Sequence, residues 1–156
     1  MDKKLEKQWK RLDIFTNMSR TAHNYLYKMA EEDPVEKEHY EKIDKELGEL
    51  FELYRKRVMK KIYDSCGDQT PFDEDVDGVK LEPETYEECM QEYISLLDMF
   101  NYSIRYLNTF AVTTLKNEKI HLDIIKKYQK VFKKYEKKLL KRMDELYEKE
   151  MAIISK

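Results

Sequence analysis

Glycine and proline are scarce in this chain, and most of them lie close together. The 156 residues contain only three of each, and Pro34 and Gly48 stand apart from the others. The remaining four fall within one short segment: Gly67, Pro71, Gly78 and Pro83. Because glycine and proline are the strongest local interruptions of regular structure, this distribution predicts long helices broken by one substantial loop.

The chain also has few cysteines and no long apolar segment. Only Cys66 and Cys89 are present, with no histidine near either in sequence, so the pattern of a four-ligand zinc site is missing. A disulfide between them is geometrically conceivable, but reduced thiols are the default inside the cell. The first residues carry no apolar run, and no stretch approaches the roughly 20 apolar residues of a membrane span. We therefore expect a cytoplasmic protein with no integral membrane association.

Residues that build common catalytic sites are sparse. Three histidines and two cysteines are scattered along the chain, so no pair of nucleophile and base can be nominated. The sequence also contains no glycine-rich loop that could cradle a phosphate group. We therefore expect the chain not to be an enzyme and to need no cofactor, apart from a calcium ion that the loop could bind.

Charge and regularly spaced apolar residues are what the chain has in abundance. Charged residues make up 40% of it and hydrophobic residues 41%, a balance that suits long helices with one buried stripe. The apolar residues recur at steps of three and four, which places them on one helical face. Four helices are predicted, with helix A over residues 3–31, helix B over 34–65, helix C over 84–114 and helix D over 119–154.

These helices predict an all-α fold, an antiparallel four-helix bundle that forms a single domain over residues 1–156. One long acidic loop, over residues 66–83, joins helices B and C. Asp33, Pro34 and Glu36 form the start signal of helix B, and Thr85 with Glu88 can form a capping box for helix C. Helix D carries a seven-residue apolar series typical of a coiled-coil seam: Ile125, Phe132, Leu139, Leu146 and Ile153.

The junction between helices C and D leaves two possibilities open. No glycine or proline marks residues 112–122. Thr113, Thr114 and Asn117 favour a turn near residues 115–119, since asparagine can adopt the left-handed conformation that ends a helix. A continuous helix through this point would instead give an elongated dimer.

The acidic loop contains a match to the EF-hand calcium-loop pattern over residues 73–84. Asp73, Asp75 and Asp77 occupy positions 1, 3 and 5, Gly78 occupies position 6 and Glu84 position 12. Calcium needs six to eight oxygen ligands, which this spacing could supply. Two features depart from the pattern: Lys80 stands where an aliphatic residue is usual, and Gly67 and Pro71 end the entering helix well before the loop.

Charge is segregated along the sequence although the net charge is only −2. Residues 64–92 contain eleven acids and one base, and residues 126–142 contain nine bases and one acid. Such asymmetry concerns partners rather than fold. On the acidic side, the candidate partner-binding residues are Asp73, Glu74, Asp75 and Asp77. On the basic side they share one face of helix D, here named the lysine face: Lys126, Lys130, Lys133, Lys137 and Lys141.

The function predicted from these features is non-enzymatic binding of a macromolecule, as an adaptor, inhibitor or regulator. Another protein is the expected partner, and opposite patches could also pair between copies to give a homo-oligomer. Two alternatives from other classes remain. The first is a calcium-binding protein that uses the 73–84 loop, and the second is a nucleic-acid-binding protein that uses the lysine face.

Overall fold

The computed structural model describes residues 3–66, 76–111 and 118–155, with the exception of the Cys66 side chain. In this part of the chain there are four long helices and no strand. Helix α1 spans Lys3–Glu32, α2 spans Lys37–Cys66, α3 spans Tyr86–Tyr106 and α4 spans Glu118–Ile154. A π-helical turn, Leu107–Ala111, continues α3. The predicted all-α bundle of four helices is confirmed.

The turn between α1 and α2 is longer than the sequence predicts. Helix B was expected to begin at Pro34, but α2 begins at Lys37. The backbone N–H of Glu36 donates to the carbonyl of Asp33 at 3.2 Å, which closes a turn around Pro34 and Val35. Proline has the φ angle required both at the first position of a helix and at the second position of a turn, so its presence does not distinguish the two.

The start of α3 confirms the predicted capping box. Thr85 has an extended backbone, and its hydroxyl oxygen accepts the backbone N–H of Glu88 at 3.1 Å. The Glu88 carboxylate reaches back and accepts the backbone N–H of Glu84 at 3.0 Å. Both hydrogen bonds satisfy donors that have no partner within the first turn. The helix itself begins at Tyr86, two residues later than predicted.

Helices α3 and α4 pack antiparallel. Tyr93 near the start of α3 donates to Glu136 at 2.9 Å, whereas Asn108 near its end lies 3.1 Å from His121 at the start of α4. The chain therefore reverses direction between the two helices, as the predicted turn requires, and the continuous-helix alternative is wrong. Residues 112–117, where the end of helix C and most of the turn were predicted, lie outside the described residues.

The core forms where the apolar stripes of the four helices meet. Phe15 of α1 is fully buried, and its ring lies 4.9 Å from that of Tyr54 on α2 and 5.3 Å from that of Tyr135 on α4. Helix α1 packs most extensively against α2 and α3, while α2 and α4 stand further apart. That separation leaves room for a cleft between α2 and α4.

The apolar coiled-coil series of α4 is buried only where α4 packs against other helices. Phe132, Leu139 and Leu146 are buried, as the seven-residue spacing predicts. Ile153 continues the same spacing but is 64% exposed. None of the helices in the described part of the chain combines the length and apolar composition that crossing a bilayer requires.

The last part of the predicted acidic loop is attached to the bundle. Residues 67–75 lie outside the described residues, so the extent of the loop is not tested. Val76 is buried, and its carbonyl accepts the N–H of Val79 at 3.2 Å in a turn where Gly78 has a φ of +80°. A positive φ at the third position of a turn favours glycine. The chain then continues along the bundle to Thr85.

Candidate functional site

A buried ion pair connects α2 and α3. The Arg57 guanidinium donates to both carboxylate oxygens of Glu92, at 2.8 and 3.0 Å, and the Tyr54 hydroxyl donates to the same carboxylate at 3.0 Å. The side chains of Arg57 and Glu92 are only 12% and 7% exposed. Burial, with the nearby Glu92 charge, holds the pKa of Tyr54 well above its usual value. Tyr54 therefore remains a neutral donor.

The sequence carries a local signal for this pair. Glu92 lies three residues after Cys89 and four before Leu96, and both of these are fully buried. Arg57 likewise follows Tyr54 by three residues. A charged residue within an apolar stripe must find a partner, because an unpaired buried charge is very costly.

Two arginines hold the segment before α3 against the bundle. Arg57 donates from Nε to the carbonyl of Lys80 at 2.8 Å. From α4, Arg142 donates from Nε to the carbonyl of Pro83 at 2.8 Å, and its Nη1 lies 3.5 Å from Glu82. Residues 81–83 thereby form one wall of the cleft between α2 and α4.

This cleft, of about 540 Å³, lies between α1, α2, α4 and the segment before α3. The rings of Tyr54 and Tyr135 meet in its wall, 4.7 Å apart. Burial raises the pKa of Tyr135 to about 12, although Arg11 opposes the shift. The Arg11 guanidinium lies 5.9 Å from the centre of the Tyr135 ring.

The cleft also gathers positive charge from three helices, through Arg11 on α1, Lys61 on α2 and Lys138 on α4. Partial burial, followed by the charges of Arg57, Lys4 and Arg11, lowers the pKa of Lys61. Partial burial, followed by the charge of Lys61 and other bases, lowers the pKa of Lys138. These cations repel one another, and their convergence could not be predicted from the spacing of residues within any one helix.

A second, larger groove of about 1230 Å³ runs between α2 and α3. The Arg57–Glu92 pair and Pro83 line both this groove and the cleft, so they separate the two. Its charged lining is acidic on balance, with four bases, Lys45, Lys56, Arg57 and Lys80, and six glutamates: Glu46, Glu49, Glu52, Glu87, Glu88 and Glu92. Lys80 lies 3.1 Å from Glu88, and the pKa of Glu88 is lowered first by the Glu84 backbone N–H and then by Lys80.

The predicted calcium ligands are only partly described. Asp73 and Asp75 lie outside the described residues. Asp77 is exposed in the turn before Gly78, and Glu84 has its carboxylate 3.8 Å from the ammonium of Lys80. Within residues 3–66, 76–111 and 118–155, no three histidine, cysteine or acidic side chains are grouped to hold a metal ion. The calcium site stays a prediction.

The lysine face lies on the exposed side of α4, and its last member, Lys141, also lines the cleft. Its five lysines are all exposed, and none forms an ion pair with another described residue. Lys134 and Lys138 lie beside it and extend the positive charge towards the cleft. Of the predicted acidic residues, Asp77 is exposed, whereas Asp73, Glu74 and Asp75 lie outside the described part.

The free thiol of Cys89 is buried between α3 and α4. Its Sγ donates to the carbonyl of Leu139 at 3.3 Å. Burial, with the nearby charge of Glu92, raises the pKa of this thiol to about 11. Cys89 therefore has the environment of a packing residue rather than of a nucleophile.

Comparison of the chain with protein-family models, curated proteins and solved structures gave no match.

Proposed function

We propose that this protein is a non-enzymatic macromolecular-binding protein of the cytoplasm, an adaptor, inhibitor or regulator, whose lysine face docks on an acidic protein. The observation that carries the proposal is the exposed, unneutralised charge of the lysine face. Its five exposed lysines have no acidic partner among the described residues. Their charge is therefore available to another molecule.

Electrostatic complementarity suits this role because it acts mainly on encounter and specificity. A positive surface steers an acidic partner during diffusion and repels other basic surfaces. Lysine is a flexible point charge with a strongly hydrated head, so it matches a diffuse acidic surface better than a fixed bidentate site. We propose the acidic loop, with Asp73, Glu74, Asp75 and Asp77, as a second surface of opposite sign. Through it a second copy of the chain could also bind.

Neutralising part of the lysine face tests the proposal. The variant Lys130→Gln, Lys133→Gln, Lys137→Gln is compared with Lys42→Gln, Lys45→Gln, Lys149→Gln, which replaces exposed lysines elsewhere and has the same net charge. In affinity capture from host extract with quantitative mass spectrometry, we expect the first variant to lose acidic partners by about tenfold or more. The control should retain them. Equal capture by both variants and the unmodified chain would contradict the proposal.

Nucleic acid is the second candidate partner, because the exposed lysines could neutralise phosphates equally well. The affinity for a phosphate backbone must fall steeply with salt, since each neutralised phosphate releases counterions. We would measure binding of duplex DNA and single-stranded RNA by fluorescence anisotropy at about 50 and 200 mM salt. Failure to bind either at the lower concentration would leave the protein partner as the only candidate for this face.

Calcium binding by the 73–84 loop is the third candidate. The positive φ of Gly78 is the one feature of the described part that favours it, because position 6 of such a loop needs a sharp turn. Thermal unfolding with and without millimolar calcium tests it. The variant Asp73→Asn, Asp75→Asn, Asp77→Asn should abolish any stabilisation, and an unchanged melting temperature of the unmodified chain in calcium would remove this candidate.

A further inference from the structure

We propose that the cleft between α2 and α4 binds a small polyphosphate-bearing molecule, with Arg11, Lys61 and Lys138 holding the phosphate groups. This site shares only Lys141 with the lysine face, and its binding of a small ligand goes beyond the macromolecular binding proposed above. It is carried by the convergence of three cations from three different helices on one cavity.

The contrast between the bases of this cleft supports the proposal. Arg57 and Arg142 both have acidic partners, Glu92 in the first case and Glu82 in the second. The other four bases of the lining, Arg11, Lys61, Lys138 and Lys141, form no ion pair with any described residue. Long basic side chains usually avoid one another by extending into solvent. Here they remain close enough for their charges to lower the pKa values of Lys61 and Lys138.

A multiply charged anion removes this repulsion. Phosphate oxygens accept hydrogen bonds from guanidinium and ammonium groups in charge-assisted contacts, which are stronger than those between neutral groups. The helices already place the backbones of Arg11, Lys61 and Lys138 around one cavity, so the chain need not rearrange to bring their charges together. A single carboxylate could neutralise only one of the three charges, which favours a polyphosphate.

The rest of the lining suits an organic group attached to the phosphates. The cleft has the volume of a small-molecule site, for which about 300–1,000 Å³ is typical. Val58, Leu81 and Leu139 give it apolar walls, and Tyr135 offers a ring face with a hydroxyl that stays protonated. The side-chain oxygen of Gln8 is buried at this cleft without a hydrogen-bond partner. An amide in this place can present a donor or an acceptor, depending on its rotation.

Calorimetric titration with ATP and with tripolyphosphate tests the site. We expect Lys61→Gln and Arg11→Gln to weaken binding about tenfold or more, because each removes a charged hydrogen bond. Lys126→Gln, on the lysine face, loses the same charge and should bind as the unmodified chain does. Equal affinity for the two ligands would mean that the protein recognises the phosphate chain alone. Tighter binding of ATP would mean that Tyr135 and the apolar walls also contact the nucleoside.

Stability without ligand provides a readout that a structural role would not give. Lys61 is half-buried among like charges. If it serves a ligand, Lys61→Gln should leave the melting temperature unchanged or raise it while weakening ligand binding. A lowered melting temperature would show that Lys61 stabilises the fold instead, and would overturn its assignment.

Three further results would overturn the proposal. One is the failure of both ligands to bind at about 1 mM in low salt. Another is equal weakening by Lys126→Gln, which would mean non-specific attraction to net charge. The last is binding of an oligonucleotide but of neither small ligand, which would assign the basic surface to nucleic acid. The triple lysine-face variant described above should bind ATP normally, so failure of either proposal is recognised independently.

Discussion

Replacing Glu92 by glutamine should destabilise the protein strongly, because it leaves Arg57 charged and buried. Glu92 accepts three hydrogen bonds within 3.0 Å, two from Arg57 and one from Tyr54. Removing one partner of a buried pair costs about 3–5 kcal/mol. We expect the lower end, about 3 kcal/mol, because Arg57 keeps its bond to the Lys80 carbonyl and the carbonyl oxygen of the glutamine can still accept hydrogen bonds.

Denaturant unfolding monitored by circular dichroism at 222 nm measures this cost. The slope with denaturant should stay constant, since it follows the surface exposed on unfolding. For a chain of this size, about 3 kcal/mol corresponds to a melting temperature lowered by about 6–12 °C. A loss below about 1 kcal/mol, the level of exposed ion pairs, would refute the inference that the pair is desolvated.

The double variant Arg57→Met, Glu92→Leu distinguishes the effect of an unpaired buried charge from the effect of altered packing. Replacing both charges with apolar side chains is often neutral or stabilising. The Lys80 carbonyl then loses its donor, which should cost about 1 kcal/mol. We therefore expect the double variant to be more stable than Glu92→Gln. If it is equally unstable, the loss in the single variant comes from packing rather than from an uncompensated charge.

The remaining predictions concern the core, the cap, the thiol and the tyrosines. Phe15→Ala should cost about 3–5 kcal/mol in denaturant unfolding, because the ring is fully buried, and Thr85→Ala about 1 kcal/mol through loss of the α3 cap. In a Cys66→Ala background at neutral pH, Cys89 should react with Ellman's reagent only after denaturant is added, since it is buried with a pKa of about 11. Tyr135 loses its proton at about pH 10 in the unfolded chain but at about 12 in the folded one. Its contribution to stability is therefore complete below pH 10 and lost between pH 10 and 12, by about 2–3 kcal/mol. Tyr135→Phe should reduce this alkaline loss in unfolding curves measured across that range.

The sequence was sufficient to predict the helices because their signals are local. Spacing at three and four residues defines a buried face from one helix alone, and the Thr85 cap needs only four residues. The start of α2 was misplaced because Pro34 suits a turn as well as a first helical turn. Whether Pro34 starts a turn or a helix depends on how the preceding chain packs against the bundle. The residues around Pro34 do not contain that information.

The two candidate sites also differ in whether their signals are local in the sequence. The lysine face could be predicted because its members share one face of one helix, and all five are exposed. The cleft could not, because Arg11, Lys61 and Lys138 lie on three helices and each alone resembles an ordinary solvated base. Their convergence follows from the register of α1, α2 and α4, which is set by the packing of Phe15, Tyr54 and Tyr135. Periodicity shows which face is buried but not which positions of two helices meet.

The Arg57–Glu92 pair explains how one bundle can keep two cavities of different charge. It separates the cleft from the acidic groove, and through the Lys80 carbonyl it also positions the segment that walls the cleft. A buried ion pair is a weak source of stability compared with apolar residues of similar volume. Its geometry, by contrast, requires one register between α2 and α3, because two donors must meet two oxygens. We therefore infer that the pair contributes more to the shape of the cleft than to the free energy of unfolding, and that an apolar replacement would preserve the fold while changing what the cleft can bind.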